Sequence, residues 1–143
     1  MKTFAAALLM ALACTANAQD KKIKPAELPE DATAFIKTYF VNTKIKTVKK
    51  ETDKNKLATF EVVLEDKTEI EFRENGTWKE VDGKGAVIPV SFVPKSFWKY
   101  IKENYPKEEI THIDKGEEEI EVDLTNGLEL IFNQHGQFVR VDK

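Results

Sequence analysis

Apolar residues recur along the chain with two different spacings, and each spacing predicts its own kind of element. From residue 32 to residue 40 the spacing is i, i+3, i+4, i+7 and i+8, which forms one apolar stripe on a helix. A similar stripe runs from residue 97 to residue 105. Pro29 and Pro94 precede the stripes and suit a first helical turn, where the missing N–H has no helical partner. The pattern predicts two amphipathic helices with their aromatic residues in the core.

Beyond each helix the spacing changes to two, which predicts strands that are buried on one face only. Apolar and polar residues alternate in this way over residues 60–72 and again over residues 120–132. Further strands start near Thr47 and His112, so each half reads as one helix followed by four antiparallel strands. The predicted fold class is α+β, with a sheet of about eight strands.

The alternation also fixes the hairpin loops. A loop of residues 125–127 pairs Leu124 with Leu128 and keeps the apolar side chains of both strands on one face, which a two-residue loop would not do. Gly127 then takes the left-handed third position of the loop. Lys67 occupies the equivalent place in the first half, so we predict a positive φ there, with a strain of roughly 1 kcal/mol.

The two halves match residue by residue, which indicates a tandem repeat. Leu28 aligns with Val93 at an offset of 65 residues, whereas Phe72 aligns with Phe132 at an offset of 60. The difference falls in a polar run between residues 49 and 59, which we interpret as a longer turn. The predicted organisation is a flexible segment at 19–27, repeat 1 at 28–82, a linker at 83–92 and repeat 2 at 93–143. Because the linker is too short for a third helix, two helices are expected to pack on one face of the sheet and leave the other open.

The first 18 residues have the pattern of a secretory signal peptide. Lys2 supplies a positive charge, an apolar stretch follows, and Ala16-Asn17-Ala18 resembles a cleavage site. Cys14 allows a second interpretation, in which it becomes the lipidated first residue of a lipoprotein. No later stretch approaches the roughly 20 apolar residues of a membrane span. We therefore expect an exported protein, periplasmic or extracellular, with lipid anchoring through Cys14 as the alternative.

The second half carries a set of short motifs that resembles the secreted PepSY-like, beta-lactamase-inhibitor-like family. The motifs are Ile88-Pro89, Val93-Pro94, Tyr100-Ile101, Asn104-Tyr105-Pro106, Asn126-Gly127 and the hairpin that ends at Gly136-Gln137-Phe138-Val139-Arg140-Val141-Asp142. The first half carries the companion pattern Phe72, Asn75-Gly76, Trp78 and Val81-Asp82. The resemblance implies helices packed on one side of an antiparallel sheet, export, and no established enzyme activity. It also implies a concave sheet face that contacts another protein.

Composition and charge exclude several classes of function. The formal net charge is −3, whereas a nucleic-acid partner requires a basic face. Ser91, Ser96, His112 and His135 are the serines and histidines beyond residue 18, and none lies in a nucleophile or zinc motif. We predict neither an enzyme nor a cofactor, and we interpret His112 as a strand-edge residue and His135 as an exposed turn residue.

The open face of the predicted sheet is acidic, with a small apolar patch. The candidate partner-binding residues are Glu61, Glu71, Glu119, Glu121, Asp123, Glu129, Ile131, Val139 and Val141. Glu61 faces Glu71, and Asp123 faces Glu129, although such like-charge pairs lower stability. The leading hypothesis is a secreted, non-enzymatic module that inhibits or sequesters an unidentified envelope or extracellular protein by binding a basic segment of it on this face. The alternatives are a face that serves solubility alone, a calcium or small-ligand site built from clustered carboxylates, and a structural envelope protein.

Overall fold

A computed structural model describes residues 19–142 of the chain. The fold is α+β, and its strands form one open antiparallel sheet of nine strands whose order follows the chain. The strands are β1 (Gln19–Ile23), β2 (Ile45–Thr52), β3 (Ala58–Leu64), β4 (Glu69–Arg73), β5 (Trp78–Asp82), β6 (Ile110–Lys115), β7 (Glu119–Leu124), β8 (Glu129–Asn133) and β9 (Phe138–Asp142). The helices are α1 (Glu30–Tyr39) and α2 (Lys95–Asn104), and a single 3₁₀ turn covers Pro25–Glu27.

Both helices begin directly after a proline and span the same number of residues. Pro29 and Pro94 are the N-cap residues, so each lies one position earlier than the first helical turn in which the sequence placed it. At the other end the N–H of Phe40 donates to the carbonyl oxygen of Ile36 at 2.9 Å, and the N–H of Tyr105 does the same to Ile101 at 2.7 Å. The two helices therefore begin and end alike.

The helices contribute their apolar stripes to the core that the strands build. Ile36 and Ile101 are buried within the same hydrophobic cluster as the apolar strand residues. Helix α1 contacts β4 through Phe35, whose ring centroid lies 5.6 Å from that of Phe72 in an edge-on arrangement. Helix α2 contacts β8 in the same manner, since the rings of Phe97 and Phe132 are 4.8 Å apart. Such edge-to-face contacts fix the position of each helix over its strands.

The predicted hairpin loops are confirmed. The N–H of Leu124 donates to the carbonyl oxygen of Leu128 at 2.9 Å, and Gly127 has a φ of +84°. Phe72 lies opposite Trp78, and Phe132 lies opposite Phe138. Lys67 adopts the predicted left-handed conformation, with a φ of +76°.

The N-terminal segment differs from the prediction. Residues 19–27 were expected to be flexible, but Gln19–Ile23 form an edge strand that pairs with β2 from Thr52 to Val48. This strand raises the sheet from about eight strands to nine. The expected long turn over residues 49–59 is shorter than predicted, because β2 continues to Thr52. The outer edge of β2 is where β1 pairs. The predicted signal peptide and Cys14 lie outside the described residues.

Candidate functional site

The register of the sheet places carboxylates side by side across five consecutive strands. The pairings run from β3 to β7 without interruption and join Glu61, Glu71, Glu80, Asp114 and Glu121. Neighbouring strands in a sheet lie about 4.8 Å apart, so these side chains form a continuous acidic row. We call this set the first row.

A second row runs beside the first, two residues away from it on each strand that the two rows share. Its pairings join Glu69, Asp82, His112, Asp123 and Glu129, from β4 to β8. Like the first row, it consists of strand residues that are half-buried rather than part of the core. The two rows together are called the acidic face, which contains nine carboxylates and one histidine.

His112 lies at the centre of the acidic face, on the sixth of the nine strands. Its Nε2 lies 2.8 Å from Oε1 of Glu80, and its Nδ1 lies 3.2 Å from Oδ2 of Asp123. Burial alone would lower the pKa of His112, but the hydrogen bond to Glu80 and the charge of Asp123 outweigh it and raise the pKa to about 9. The same hydrogen bond lowers the pKa of Glu80 despite the burial of that carboxyl. His112 is therefore an imidazolium at neutral pH that links three strands.

Three lysines neutralise part of the remaining charge. Lys79 Nζ lies 3.6 Å from Glu71 and 3.7 Å from Asp114. Lys84 Nζ lies 2.8 Å from Glu69 and 2.7 Å from Asp82. Lys49 pairs with Glu61 at 3.6 Å. With His112, these lysines supply four positive charges against nine carboxylates.

Two carboxyl groups have raised pKa values, with burial as the largest cause. The pKa of Glu121 is raised by burial first and then by the charges of Glu129 and Asp123. The pKa of Glu71 is raised by burial, which Lys79 only partly offsets. In addition, one buried carboxylate oxygen of Asp123, Oδ1, has no hydrogen-bond partner among the described residues. The acidic face thus carries carboxylates whose ionisation the fold does not fully stabilise.

The sequence located some of these residues correctly. Glu61, Glu71, Glu121, Asp123 and Glu129 all lie on the acidic face, and the predicted like-charge pairs Glu61–Glu71 and Asp123–Glu129 are directly opposite each other.

Glu119 lies outside the two rows. It is exposed at the start of β7 and accepts two hydrogen bonds from the guanidinium of Arg140, at 2.7 and 2.8 Å. Because Arg140 belongs to β9 and Glu119 to β7, this ion pair spans β8.

The structure separates the three residues of the predicted apolar patch. Ile131 is only 3% exposed. Val139 is 49% exposed and lies at a β-bulge, whereas Val141 is 40% exposed and pairs with Leu130 of the core rather than with a residue of the acidic face. The three residues therefore do not form a continuous exposed surface.

Five residues of the acidic face are outside the candidate list. Glu69 follows the regular alternation of β4, whereas the other four were missed because of β-bulges. Lys79 is an extra residue in β5, since Glu71 lies opposite Glu80 while Phe72 lies opposite Trp78. This shift brings Glu80 and Asp82 onto the acidic face. A bulge in β6 does the same for His112 and Asp114. The expectation that His112 lies at a strand edge is wrong, because β6 pairs with a neighbour on each side.

The arrangement defines a class of protein before any comparison is made: an α+β domain whose open antiparallel sheet presents two rows of carboxylates bridged by a histidine. Residues 58–140 match the family described as putative beta-lactamase-inhibitor-like, PepSY-like. The chain belongs to this family. Within residues 19–142, no helix combines the length and the apolar character needed to cross a bilayer.

Solved structures from Bacteroides share the fold. A putative periplasmic protein of the DUF2874 family from Bacteroides vulgatus ATCC 8482 is 34% identical, with a TM-score of 0.82 over 87% of this chain and 97% of that one. A putative calcium-regulated periplasmic protein from Bacteroides thetaiotaomicron is 32% identical, with a TM-score of 0.81 over 87% and 97% of the two chains. A second Bacteroides vulgatus protein, a putative periplasmic protein of unknown function, is 32% identical, with a TM-score of 0.82 over 87% and 100%. Among the curated proteins, none matches.

Proposed function

We propose that this protein is a non-catalytic periplasmic module that binds a basic segment of a protein partner on its acidic face. The family description and the periplasmic relatives support a non-catalytic role in that compartment. In this proposal the chain is a duplicated unit whose two helices cover one face of the sheet and leave the acidic face free for the partner.

One observation carries the proposal: the acidic face holds more negative charge than its own cations neutralise. At Glu121 the charges of Glu129 and Asp123 add to the effect of burial, and the raised pKa means that the folded state disfavours the ionised form. Lysine or arginine side chains of a partner would relieve this repulsion when they bind. Complementary charge of this kind accelerates association and makes affinity depend on salt.

The test compares two double variants that have the same net charge. Glu71→Gln/Glu121→Gln removes two carboxylates from the first row, whereas Glu103→Gln/Glu118→Gln removes two exposed carboxylates elsewhere. Asp123 is left unchanged because it holds His112. The probe is a fluorescent peptide of alternating lysine and alanine, with a glutamate and alanine peptide of equal length as its control.

We expect the first-row variant to bind the lysine peptide about tenfold more weakly at low salt, which corresponds to a loss of about 1.4 kcal/mol. Its free energy of unfolding should be unchanged or higher, since repulsion is removed. The Glu103→Gln/Glu118→Gln protein should bind like the wild type. If both variants bind the lysine peptide equally weakly, the effect depends on net charge alone and the proposal is contradicted. A clear loss of stability in the first-row variant would mean that those carboxylates are structural.

A second candidate function is the binding of a divalent cation to the same face. Ligand atoms of His112, Glu121 and Asp123 all lie within 4.8 Å of one another, and the free oxygen of Asp123 favours this candidate. One solved relative is described as a putative calcium-regulated protein. Calcium requires six to eight oxygen ligands, and a protonated imidazole donates none, which is why we rank this candidate second.

Calorimetric titration with calcium chloride separates the two candidates. A saturable heat that disappears in Asp123→Asn, and that magnesium does not reproduce, would favour the cation site. Absence of such heat, together with salt-sensitive binding of the lysine peptide, would favour the protein-binding module.

A further inference from the structure

Two hairpin loops contain an asparagine followed by a glycine. These are the β4–β5 loop, with Asn75 and Gly76, and the β7–β8 loop, with Asn126 and Gly127. Such a pair is chemically reactive, because glycine has no side chain to keep its backbone nitrogen away from the amide of the preceding asparagine. The molecule therefore carries the same reactive pair in two loops whose surroundings can be compared.

The backbone of the two loops is almost identical. Both glycines have a φ of +84°. Gly76 donates its N–H to the carbonyl oxygen of Arg73 at 2.8 Å. Gly127 donates in the same way to the carbonyl oxygen of Leu124 at 2.9 Å. Attack by the glycine nitrogen requires loss of this N–H proton, so the hydrogen bond must open before the pair can react. The rate at each site therefore depends on how easily its loop opens.

Packing against α1 distinguishes the two glycines. Gly76 is buried, and a Cβ added to it would lie 2.9 Å from Cβ of Pro29 and 3.1 Å from that of Asp31, at the start of the helix. Gly127 is exposed, and within residues 19–142 no atom beyond its chain neighbours would lie within 4 Å of an added Cβ. Opening of the β4–β5 loop must therefore break contacts with α1, whereas the β7–β8 loop can open into solvent.

The asparagine side chains differ in the same direction. Oδ1 of Asn75 accepts hydrogen bonds from the backbone N–H of Thr77 at 3.0 Å and from its hydroxyl at 2.7 Å. Oδ1 of Asn126 accepts one hydrogen bond from the described part of the chain, donated by the N–H of Leu128 at 3.0 Å. The amide must turn toward the glycine nitrogen in order to react, and fewer hydrogen bonds hold Asn126 in place.

We propose that Asn126 is a site of spontaneous deamidation in the folded protein and that the fold protects Asn75. In this reaction the backbone nitrogen of Gly127 bonds to Cγ of Asn126, and the bond from Cγ to the side-chain nitrogen breaks. The side-chain nitrogen leaves as ammonia together with the former N–H proton, which gives a cyclic succinimide. Water then opens the succinimide at one of its two carbonyl groups and leaves aspartate or isoaspartate. Water is the only other reactant, and both products carry a new carboxylate.

The new carboxylate lies beside the acidic face. Thr125 and Gly127, which flank the modified residue, share the lining of a cavity of about 300 Å³ with Asp82, His112 and Asp123 of the second row. The effect on binding rests on the function proposed above, because additional negative charge at this place strengthens the attraction for a lysine-rich segment. A unit charge about 10 Å from a bound lysine changes the affinity about twofold in water.

Peptide mapping by mass spectrometry, applied to the folded protein during incubation at pH 7.5, measures both asparagines in one sample. We expect Asn126 to react at least about tenfold faster than Asn75, because the β4–β5 loop must release α1 before it opens. In urea sufficient to unfold the protein, as monitored by circular dichroism, the two rates should become similar, since the packing is lost and the reactive pair is the same.

Two results would overturn the proposed modification. One is a rate at Asn75 that equals or exceeds the rate at Asn126 in the folded protein. The other is an Asn126 that stays intact in the folded protein over the time in which it is converted in urea. Neither measurement involves a ligand, so both are independent of the function proposed for the acidic face.

The variant Asn126→Asp reproduces the aspartate product and tests the effect on binding. Its control is Asn42→Asp, which adds the same charge at an exposed position in the turn after α1 and outside both rows. We expect Asn126→Asp to bind the lysine peptide about twofold more tightly than the control at low salt. Equal affinities would overturn the effect on binding alone. If the peptide does not bind to the wild type, the function proposed for the acidic face fails, whereas the modification at Asn126 stands or falls by the mapping experiment.

Discussion

Replacing His112 with glutamine should remove a pH-dependent part of the free energy of unfolding. The fold raises the pKa of His112 from 6.5 to about 9, mainly through the bond to Glu80 and the charge of Asp123 acting against burial. At 1.36 kcal/mol per pKa unit, that shift stabilises the folded state by about 3 kcal/mol. The side chain is only 15% exposed, so solvent screens the interaction little. Because the folded pKa is the higher one, this stabilisation is fully present below about pH 6.5 and is lost as the pH rises through 9.

Urea unfolding at pH 6, 7.5 and 9.5 measures the effect. The wild type should lose most of the 3 kcal/mol across this range, whereas His112→Gln, which can still hydrogen-bond but does not titrate, should start lower and change little. His135→Gln is the matched control, because His135 is exposed in the β8–β9 loop, and it should follow the wild type. Parallel stability profiles for the wild type and His112→Gln would refute the reasoning. The pKa itself is read from an NMR titration of the imidazole protons.

Three further predictions concern stability and are measured by urea unfolding. Lys67→Gly should raise the free energy of unfolding by about 0.5–1 kcal/mol, because glycine adopts a φ of +76° without strain. Gly127→Ala should lower the free energy of unfolding by about 1 kcal/mol for the converse reason, and changes of opposite sign would contradict the strain argument. Gly76→Ala should lower the free energy of unfolding more than Gly127→Ala does, since a Cβ at residue 76 would lie 2.9 Å from the proline that precedes α1. Equal losses would show that the start of α1 shifts to make room. Ile131→Ala should lower the free energy of unfolding by about 2–4 kcal/mol, and Val139→Ala should lower it by less than about 1 kcal/mol. The reverse order would mean that the side chain of residue 131 is not buried.

The local turns could be predicted from the sequence because alternation leaves little freedom. Once the apolar residues on either side of Gly127 must share a face, only the three-residue loop satisfies both strands. The same constraint required a positive φ at Lys67, where the side chain gives no hint of it. A polar edge strand imposes no such constraint, which is why β1, with its Asp-Lys-Lys segment, was not recognised.

The acidic face was predicted only in part, and the four residues missed because of bulges all belong to β5 and β6. Strands β5 and β6 contain bulges, which strict alternation does not allow. The sequence did contain a signal for these bulges. Trp78 and Val81 are three residues apart, as are Ile110 and Ile113. When apolar residues on one face of a strand have an odd spacing, the strand must contain an extra residue. The pairing of β5 with β6 links segments that are distant in sequence, so the position of His112 between Glu80 and Asp123 depends on tertiary structure.

The strand order also has a consequence for behaviour at high protein concentration. An open sheet ends in two strands whose outer backbone groups can template further strands, which is a route to fibres. Here β1 exposes Asp20, Lys21 and Lys22, and β9 carries Arg140 and Asp142. Charged, hydrated side chains at both ends oppose stacking of one molecule upon the next. The charged edges therefore reduce the aggregation that the unpaired backbone groups of the two outer strands would otherwise promote.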